Sequence, residues 1–193
     1  MTNPYPPRVL NMLGALDPSA RVLEVGSGAR FLDERVVSLE MVAEPGVDVA
    51  ASVERLPFRD GAFDFVFSQA VLEHVQHPHV AVAEMQRVLR PGGLFYAEVA
   101  FIQPVHMAPH HYFNHSRYGL ELVCDGLVDV EVGPIGSFAE VVRWLCVKAG
   151  AVEVLGSKWL DRLLADLGTL EDRQSWDQQM NTASGVWLRG VKP

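Results

Sequence analysis

Short apolar runs rich in β-branched and aromatic residues alternate with amphipathic segments along the first half of the chain, the pattern of a parallel sheet covered on both faces. The spacing predicts a leading helix over Arg8 to Leu16, closed by Asp17-Pro18, and then strands over Arg21 to Val25, Val36 to Glu40 and Val47 to Ala50. Phe63 to Ser68 is apolar on both faces and therefore reads as a central strand. Val82, Met85, Val88 and Leu89 place one apolar stripe on a helix over Pro78 to Leu89, with Pro at its start and Pro91-Gly92-Gly93 as its stop. A buried strand over Leu94 to Phe101 follows, then a His- and aromatic-rich loop to Tyr118. Further on come a strand over Leu127 to Val132, helices over Ser137 to Ala149 and Trp159 to Leu167, and a final strand over Gly185 to Val191 that is expected to pair antiparallel at the sheet edge. The sketch is an α/β, Rossmann-like, seven-stranded open sheet with helices on both faces. Residues 1–193 are expected to form one domain, with 133–180 a variable helical insert before the last strand.

Composition narrows the function classes. The net charge is −8, with 24 acidic against 16 basic residues and no basic cluster, so nothing favours a polyanion and nucleic acid is not expected as a partner. Cys124 and Cys146 both lie in apolar stretches, which points to neither a disulfide framework nor a Cys-rich metal site and fits a reducing, cytoplasmic setting. Met1 to Arg8 lacks the design of a signal peptide, and no apolar run approaches the roughly 20 residues of a membrane span. No membrane partner is expected.

The turn Gly26-Ser27-Gly28 directly follows a strand, which sets backbone N–H groups at the carboxyl edge of the sheet, where open α/β folds bind ligands. Phe31 stands where a dinucleotide-binding motif has its third glycine, so close approach of a helix to a pyrophosphate is not provided for. Glu24 argues the same way. A carboxylate beside the turn repels phosphate and attracts the ammonium group of an amino acid. Glu40 closes the second strand, where it can accept hydrogen bonds from both hydroxyls of an unphosphorylated ribose. Adenosine joined to an amino acid is S-adenosylmethionine in outline.

Four segments then stand in a telling order: Val22-Leu23-Glu24-Val25-Gly26-Ser27-Gly28; Glu54-Arg55-Leu56-Pro57-Phe58 leading to Gly61-Ala62-Phe63-Asp64; Ser68-Gln69-Ala70-Val71-Leu72-Glu73-His74; and Arg87-Val88-Leu89-Arg90-Pro91-Gly92-Gly93. On these the chain resembles the class I S-adenosylmethionine-dependent methyltransferases, roughly from Pro18 to Val132. The resemblance implies that Glu24, Gly26 and Gly28 surround the methionine part of the cofactor, that Glu40 holds the ribose, and that Ser68, Gln69 and Ala70 line the methyl-transfer side. Ser27, Met41, Ser52, Val53 and Glu54 complete the implied cofactor set, with S-adenosylhomocysteine as product. Two positions depart from the family: Arg30 replaces a usual third glycine, and Ser52 stands where an acidic residue commonly meets the adenine amino group.

Methyl transfer from a sulfonium needs alignment more than activation, and a hydroxyl acceptor also benefits from a general base. His74 and His106 are the expected catalytic residues, with His110 and Tyr112 as substrate contacts. Glu73, His74 and a loop histidine could also ligate a divalent ion. Similar methyltransferases that use one carry a further carboxylate three residues before the Glu, and here that place is Ala70, so no metal is expected. Ser-Gln-Ala-Val at residues 68–71 is unlike the Asn/Asp-Pro-Pro-aromatic run linked to base methylation, which leaves a small-molecule acceptor and O-methylation as the expected reaction. The assembly is read as a monomer or homodimer. Two alternatives stay open: a degenerate methyltransferase fold acting as a non-catalytic partner, motivated by Arg30 and Ser52, and a nicotinamide-dependent dehydrogenase, disfavoured by Phe31 and Glu24.

Overall fold

The computed structural model describes residues 4–106 and 110–193. Its centre is a seven-stranded sheet in the order β3-β2-β1-β4-β5-β7-β6. The strands are β1 (Val22–Val25), β2 (Val36–Glu40), β3 (Val49–Ala50), β4 (Phe63–Gln69), β5 (Leu89–Ala100), β6 (Val128–Ile135) and β7 (Gly185–Val191). The first five run parallel, and β7 pairs antiparallel with both β5 and β6; the orientation is as the sequence pattern predicts, but β7 lies inside the sheet and β6 takes the edge expected for it, because β6 adds to the free side of β7.

Alternation along the strands divides the core in two. Val22 of β1, Phe65 and Phe67 of β4 and Tyr96 of β5 meet Val9 and Leu13 of helix α1 (Pro7–Ala15) on one face. Leu23, Val25, Val66, Phe95 and Ala97 turn to the other face, where Ala81, Val82 and Met85 of α2 (Pro78–Val88) cover them. Leu120 of α3 (Arg117–Val123) and Met180 of α7 (Trp176–Thr182) extend that layer. Fully burying each such apolar side chain contributes about 1.5–3 kcal/mol.

Several elements differ from the expectation. The Pro91-Gly92-Gly93 stop lies inside β5, which begins at Leu89 with a register shift between Phe63 and Phe65. Gly92 N–H donates to Lys192 O at 2.8 Å and Lys192 N–H to Gly93 O at 3.1 Å, so the chain beyond β7 holds this irregular stretch in the sheet. β3 shortens to Val49–Ala50 and β6 extends to Ile135, so the helical annex starts only at Ser137. That annex holds α4 (Phe138–Lys148), α5 (Ala151–Leu155) and α6 (Lys158–Glu171). A reciprocal cap opens α4: Glu140 N–H donates to Ser137 Oγ, and Ser137 N–H to Glu140 Oε2. Sequence spacing misses α3, α5 and α7, each a helix of seven residues or fewer.

β1 lies between β2 and β4, so the chain winds away from it in both directions. The crevice outside the carboxyl ends of β1 and β4 is the switch point of the sheet, the usual ligand site of such folds.

Candidate active site

β1 delivers Glu24 to that crevice almost fully buried, at 1% exposure. Arg30 Nη2 lies 2.7 Å from Glu24 Oε1, and the Tyr5 hydroxyl donates to Oε2 at 2.8 Å. The guanidinium also donates from Nη1 to Gln69 Oε1 and from Nε to Ser27 O, and stacks 4.1 Å from the Tyr5 ring centroid. Burial nevertheless raises the Glu24 carboxyl above its ordinary range, with the hydrogen bonds from Tyr5 and Arg30 and the Arg30 charge opposing. The Tyr5 hydroxyl is raised as well, by burial and then by Glu24.

The turn after β1 is held by its backbone. Gly26 N–H donates to Leu39 O, and Gly26 adopts φ +74°. A Cβ there would stand 2.2 Å from Val71 Cγ2, so only glycine fits. Gly28 N–H donates to Glu40 Oε1 at 2.5 Å, tying the turn to the end of β2. Ala29 and Ala70 both sit at φ +55° on opposite walls of the crevice, where a side-chain-bearing residue costs about 1–2 kcal/mol. Ser68 is fully buried and its Oγ has no partner among the described residues.

A second group forms where the chain leaves β4 and β5. Leu72–His74 make one turn of tight helix that buries Glu73, at 1% exposure. Ala100 N–H donates to Glu73 Oε1 at 3.1 Å, while Oε2 is buried without a partner. Burial pushes the Glu73 carboxyl up to about 7. The His74 ring faces those of His106 and His111, each centroid 5.4 Å away. Carbonyls set the tautomers, since they only accept. His74 Nδ1–H donates to His110 O at 2.7 Å, leaving a lone pair on a buried, unpartnered Nε2. His106 Nδ1–H donates to Pro104 O at 3.1 Å, which likewise puts the lone pair on Nε2, and burial lowers its pKa so that the ring is neutral near pH 7. His111 is committed elsewhere: Nε2–H donates to Phe113 O and Asn114 Oδ1, and Nδ1 accepts from His106 N–H.

A model described as a methyltransferase domain matches residues 11–97. The chain is similar to a demethylmenaquinone methyltransferase of Renibacterium salmoninarum, 34% identical over 102 residues that cover 44% of this chain and 43% of that one. It is also 38% identical, over 80 residues, to an uncharacterized 37.1 kDa protein in a transposon of Streptomyces fradiae, covering 41% and 23% of the two. The chain thus spans less than half the length of these curated relatives. Among solved structures it superposes on phosphoethanolamine N-methyltransferase 2 of Haemonchus contortus, bound to phosphomonomethylethanolamine and S-adenosylhomocysteine, with a TM-score of 0.60 at 16% identity, covering 96% of this chain and 52% of that one.

Residues 11–97 thus match a methyltransferase domain, and the fold is that of the class I S-adenosylmethionine-dependent methyltransferases. The residues of the cleft fit that cofactor. Glu24 is a buried carboxylate that demands a cation, and Arg30 now supplies one where the resemblance puts the ammonium group. Ser68 offers an unpaired hydroxyl, and Gly26 to Gly28 offer a turn without side-chain obstruction on the ligand side. The fold brings Glu24, Gly26, Ser27, Gly28, Glu40, Ser68, Gln69 and Ala70 to one crevice, as the motif order implies. Met41 follows β2 and is exposed, and Ser52 follows β3 with its Oγ accepting from Glu54 N–H. Val53 packs into the core, and the Glu54 side chain is turned to His77.

His74 and His106 do meet, together with Glu73 and His111, whereas the His110 ring lies against Tyr112. The Tyr112 hydroxyl accepts from Gln76 Nε2. Sequence reasoning missed Tyr5, whose contact with Glu24 spans 19 residues and has no local signature. It also missed the role of Arg87, whose guanidinium donates to Leu56 O and Phe58 O and so joins two of the matching segments. A cavity of about 300 Å³ lined by Phe101, Arg117, Tyr118, Asp177 and Met180 includes no residue of the glycine turn or the imidazole group.

Proposed function

We propose that the chain transfers the methyl group of S-adenosylmethionine to an oxygen of a small-molecule acceptor. The observation that carries this reading is the His74 Nε2 lone pair, buried, unpartnered and oriented by a backbone carbonyl, beside the equally oriented His106 ring. When bound, S-adenosylmethionine supplies a methyl carbon whose bond to sulfur breaks, the pair returning to sulfur, as the acceptor oxygen bonds to it. Glu24 binds the amino-acid end and Glu40 the ribose, which fixes the direction of the carbon–sulfur bond. His106 or His74 takes the acceptor's proton on Nε2, each ring being oriented by the carbonyl that accepts from its Nδ1–H. A small acceptor agrees with the net charge of −8, which disfavours nucleic acid, and with the small acceptors in the names of the Renibacterium and Haemonchus proteins. No helix of the described residues is long and apolar enough to cross a membrane. Both cysteines are free, in keeping with a reducing, cytoplasmic setting.

One observation favours a second reading, a partner protein that has lost turnover: Arg30 already neutralises Glu24. A thermal-shift titration with S-adenosylhomocysteine, with NADH as control, separates the two. At a hundredfold excess over its dissociation constant a ligand adds about 2.7 kcal/mol, or roughly 5–10 °C at this size. A rise with S-adenosylhomocysteine alone, followed by label transfer from methyl-labelled S-adenosylmethionine to hydroxylated small molecules, is the expected result. No rise at millimolar ligand overturns the enzyme reading.

A further inference from the structure

We infer that Glu73, His74 and His106 form a binding site for a divalent first-row transition cation. A ligand atom from each of the three lies within 4.8 Å of the others. Ligands about 2.0–2.2 Å from a tetrahedrally coordinated ion stand roughly 3.4 Å apart, so the trio closes by up to about 1.4 Å onto it.

Three features lift this above a chance cluster. First, the outer sphere is in place. Metal-binding histidines characteristically donate their other ring N–H to a carbonyl or carboxylate, which fixes tautomer and orientation. His74 does so to His110 O and His106 to Pro104 O. Second, the carboxylate is held in the same way: Glu73 Oε1 accepts from Ala100 N–H and Oε2 is left over. Third, the leftover atoms are costly as they stand. A buried acceptor without a partner costs about 1–3 kcal/mol, more if charged, and both Glu73 Oε2 and His74 Nε2 are in that condition. A cation satisfies both at once. His111, the nearest further imidazole, has both nitrogens engaged and is not a ligand.

Two imidazoles with one carboxylate select nitrogen-seeking ions such as Zn²⁺, Co²⁺, Ni²⁺ or Fe²⁺ over Mg²⁺ or Ca²⁺, which prefer all-oxygen shells. Three protein ligands leave coordination positions open. This assignment reverses the expectation drawn from Ala70, because His106, arriving from the loop after β5, takes the place of the missing carboxylate. Its catalytic meaning rests on the proposed O-methylation: with the cation bound, the Nε2 lone pairs of His74 and His106 are engaged, and the cation, in place of a free imidazole, would promote loss of the acceptor's proton by lowering the pKa of its hydroxyl. Binding itself does not rest on that reading.

The test is made on the untagged full chain, stripped with a chelator, without cofactor or acceptor. Titration with Co²⁺ is followed by visible absorption and by bound metal after dialysis, with Zn²⁺ and Mg²⁺ as competitors. Saturation near one ion per chain is expected, displaced by Zn²⁺ and not by Mg²⁺. His106→Ala and Glu73→Gln should weaken it at least about tenfold, the smallest loss that removing even an outer-sphere partner brings. The exposed His79→Ala should leave it unchanged. Absence of saturable uptake by the wild-type chain, or uptake indifferent to His106→Ala, overturns the assignment. Because no methyl transfer enters the readout, failure of the proposed reaction leaves the outcome interpretable.

Discussion

The Arg30 guanidinium sits 2.7 Å from the Glu24 carboxylate, with both side chains largely withdrawn from water at 13% and 1% exposure. The carboxylate that should receive the cofactor's ammonium group is already paired with a cation of the chain itself. Cofactor must therefore displace Arg30 or share Glu24 with it. Arg30→Gly should tighten S-adenosylhomocysteine binding by roughly tenfold, since a competing charge-assisted contact worth on the order of 1.5 kcal/mol is removed. Calorimetric titration of both proteins checks this, and equal or weaker binding by the variant would mean that Arg30 helps to hold the ligand.

Turnover and cofactor binding should separate at His106. His106→Ala removes a neutral imidazole whose centroid lies 5.4 Å from that of His74 and leaves the glycine turn untouched. A loss of about 10²–10⁴ in kcat, the usual worth of a positioned proton acceptor, is expected with an unchanged S-adenosylhomocysteine thermal shift. Full turnover on the true acceptor would remove His106 from the chemistry.

Gly26 should not tolerate a side chain. Gly26→Ala adds a methyl 2.2 Å from Val71 Cγ2 at a φ of +74°. Together these should cost roughly 2–3 kcal/mol and lower Tm by about 4–12 °C. Val71→Ala in the same chain opens the space and should recover part of the loss; scanning calorimetry of the three variants decides it.

His115 makes the fold acid-sensitive. It is buried, its Nδ1 has no partner among the described residues, and burial followed by the His111 charge lowers its pKa below the ordinary 6.5. Between that value and the depressed one the unfolded chain binds the extra proton. Its contribution is therefore whole above about pH 6.5 and falls away as the pH drops, by at most about 1.4 kcal/mol per unit. Urea unfolding from pH 7 to 5 should show a smaller drop for His115→Gln than for the wild type. Parallel curves would show that His115 is not the titrating group.

Much of the scaffold is legible in the sequence because its signals are local. Val22 to Val25 and Phe65 to Phe67 are buried on both faces, so they are apolar runs broken only by Glu24, and α2 announces itself by Pro78 and its apolar stripe. The misreadings have a common physical source in distant partners. Pro91-Gly92-Gly93 looks like a stop until Lys192 pairs with it from about a hundred residues away. Gln69 bonds back to Pro4 O, which brings the N-terminal segment to the cleft, and no spacing rule reports such a contact. The same holds for the site. Glu24 and the glycine turn are neighbours in sequence and were readable as a unit. His74 and His106 are named together from the sequence, but their contact depends on the route of a loop that spacing does not report, and the fold brings His111 beside them as well.

Trp144 of α4 packs edge-on against the His106 ring, with centroids 5.6 Å apart. The annex after β6 thus touches the imidazole group through an aromatic contact, while the glycine turn and Glu40 come from β1, β2 and their connections. In the proposed reading the annex can be altered without touching the glycine turn, so acceptor choice and donor binding are set by separate stretches of the chain.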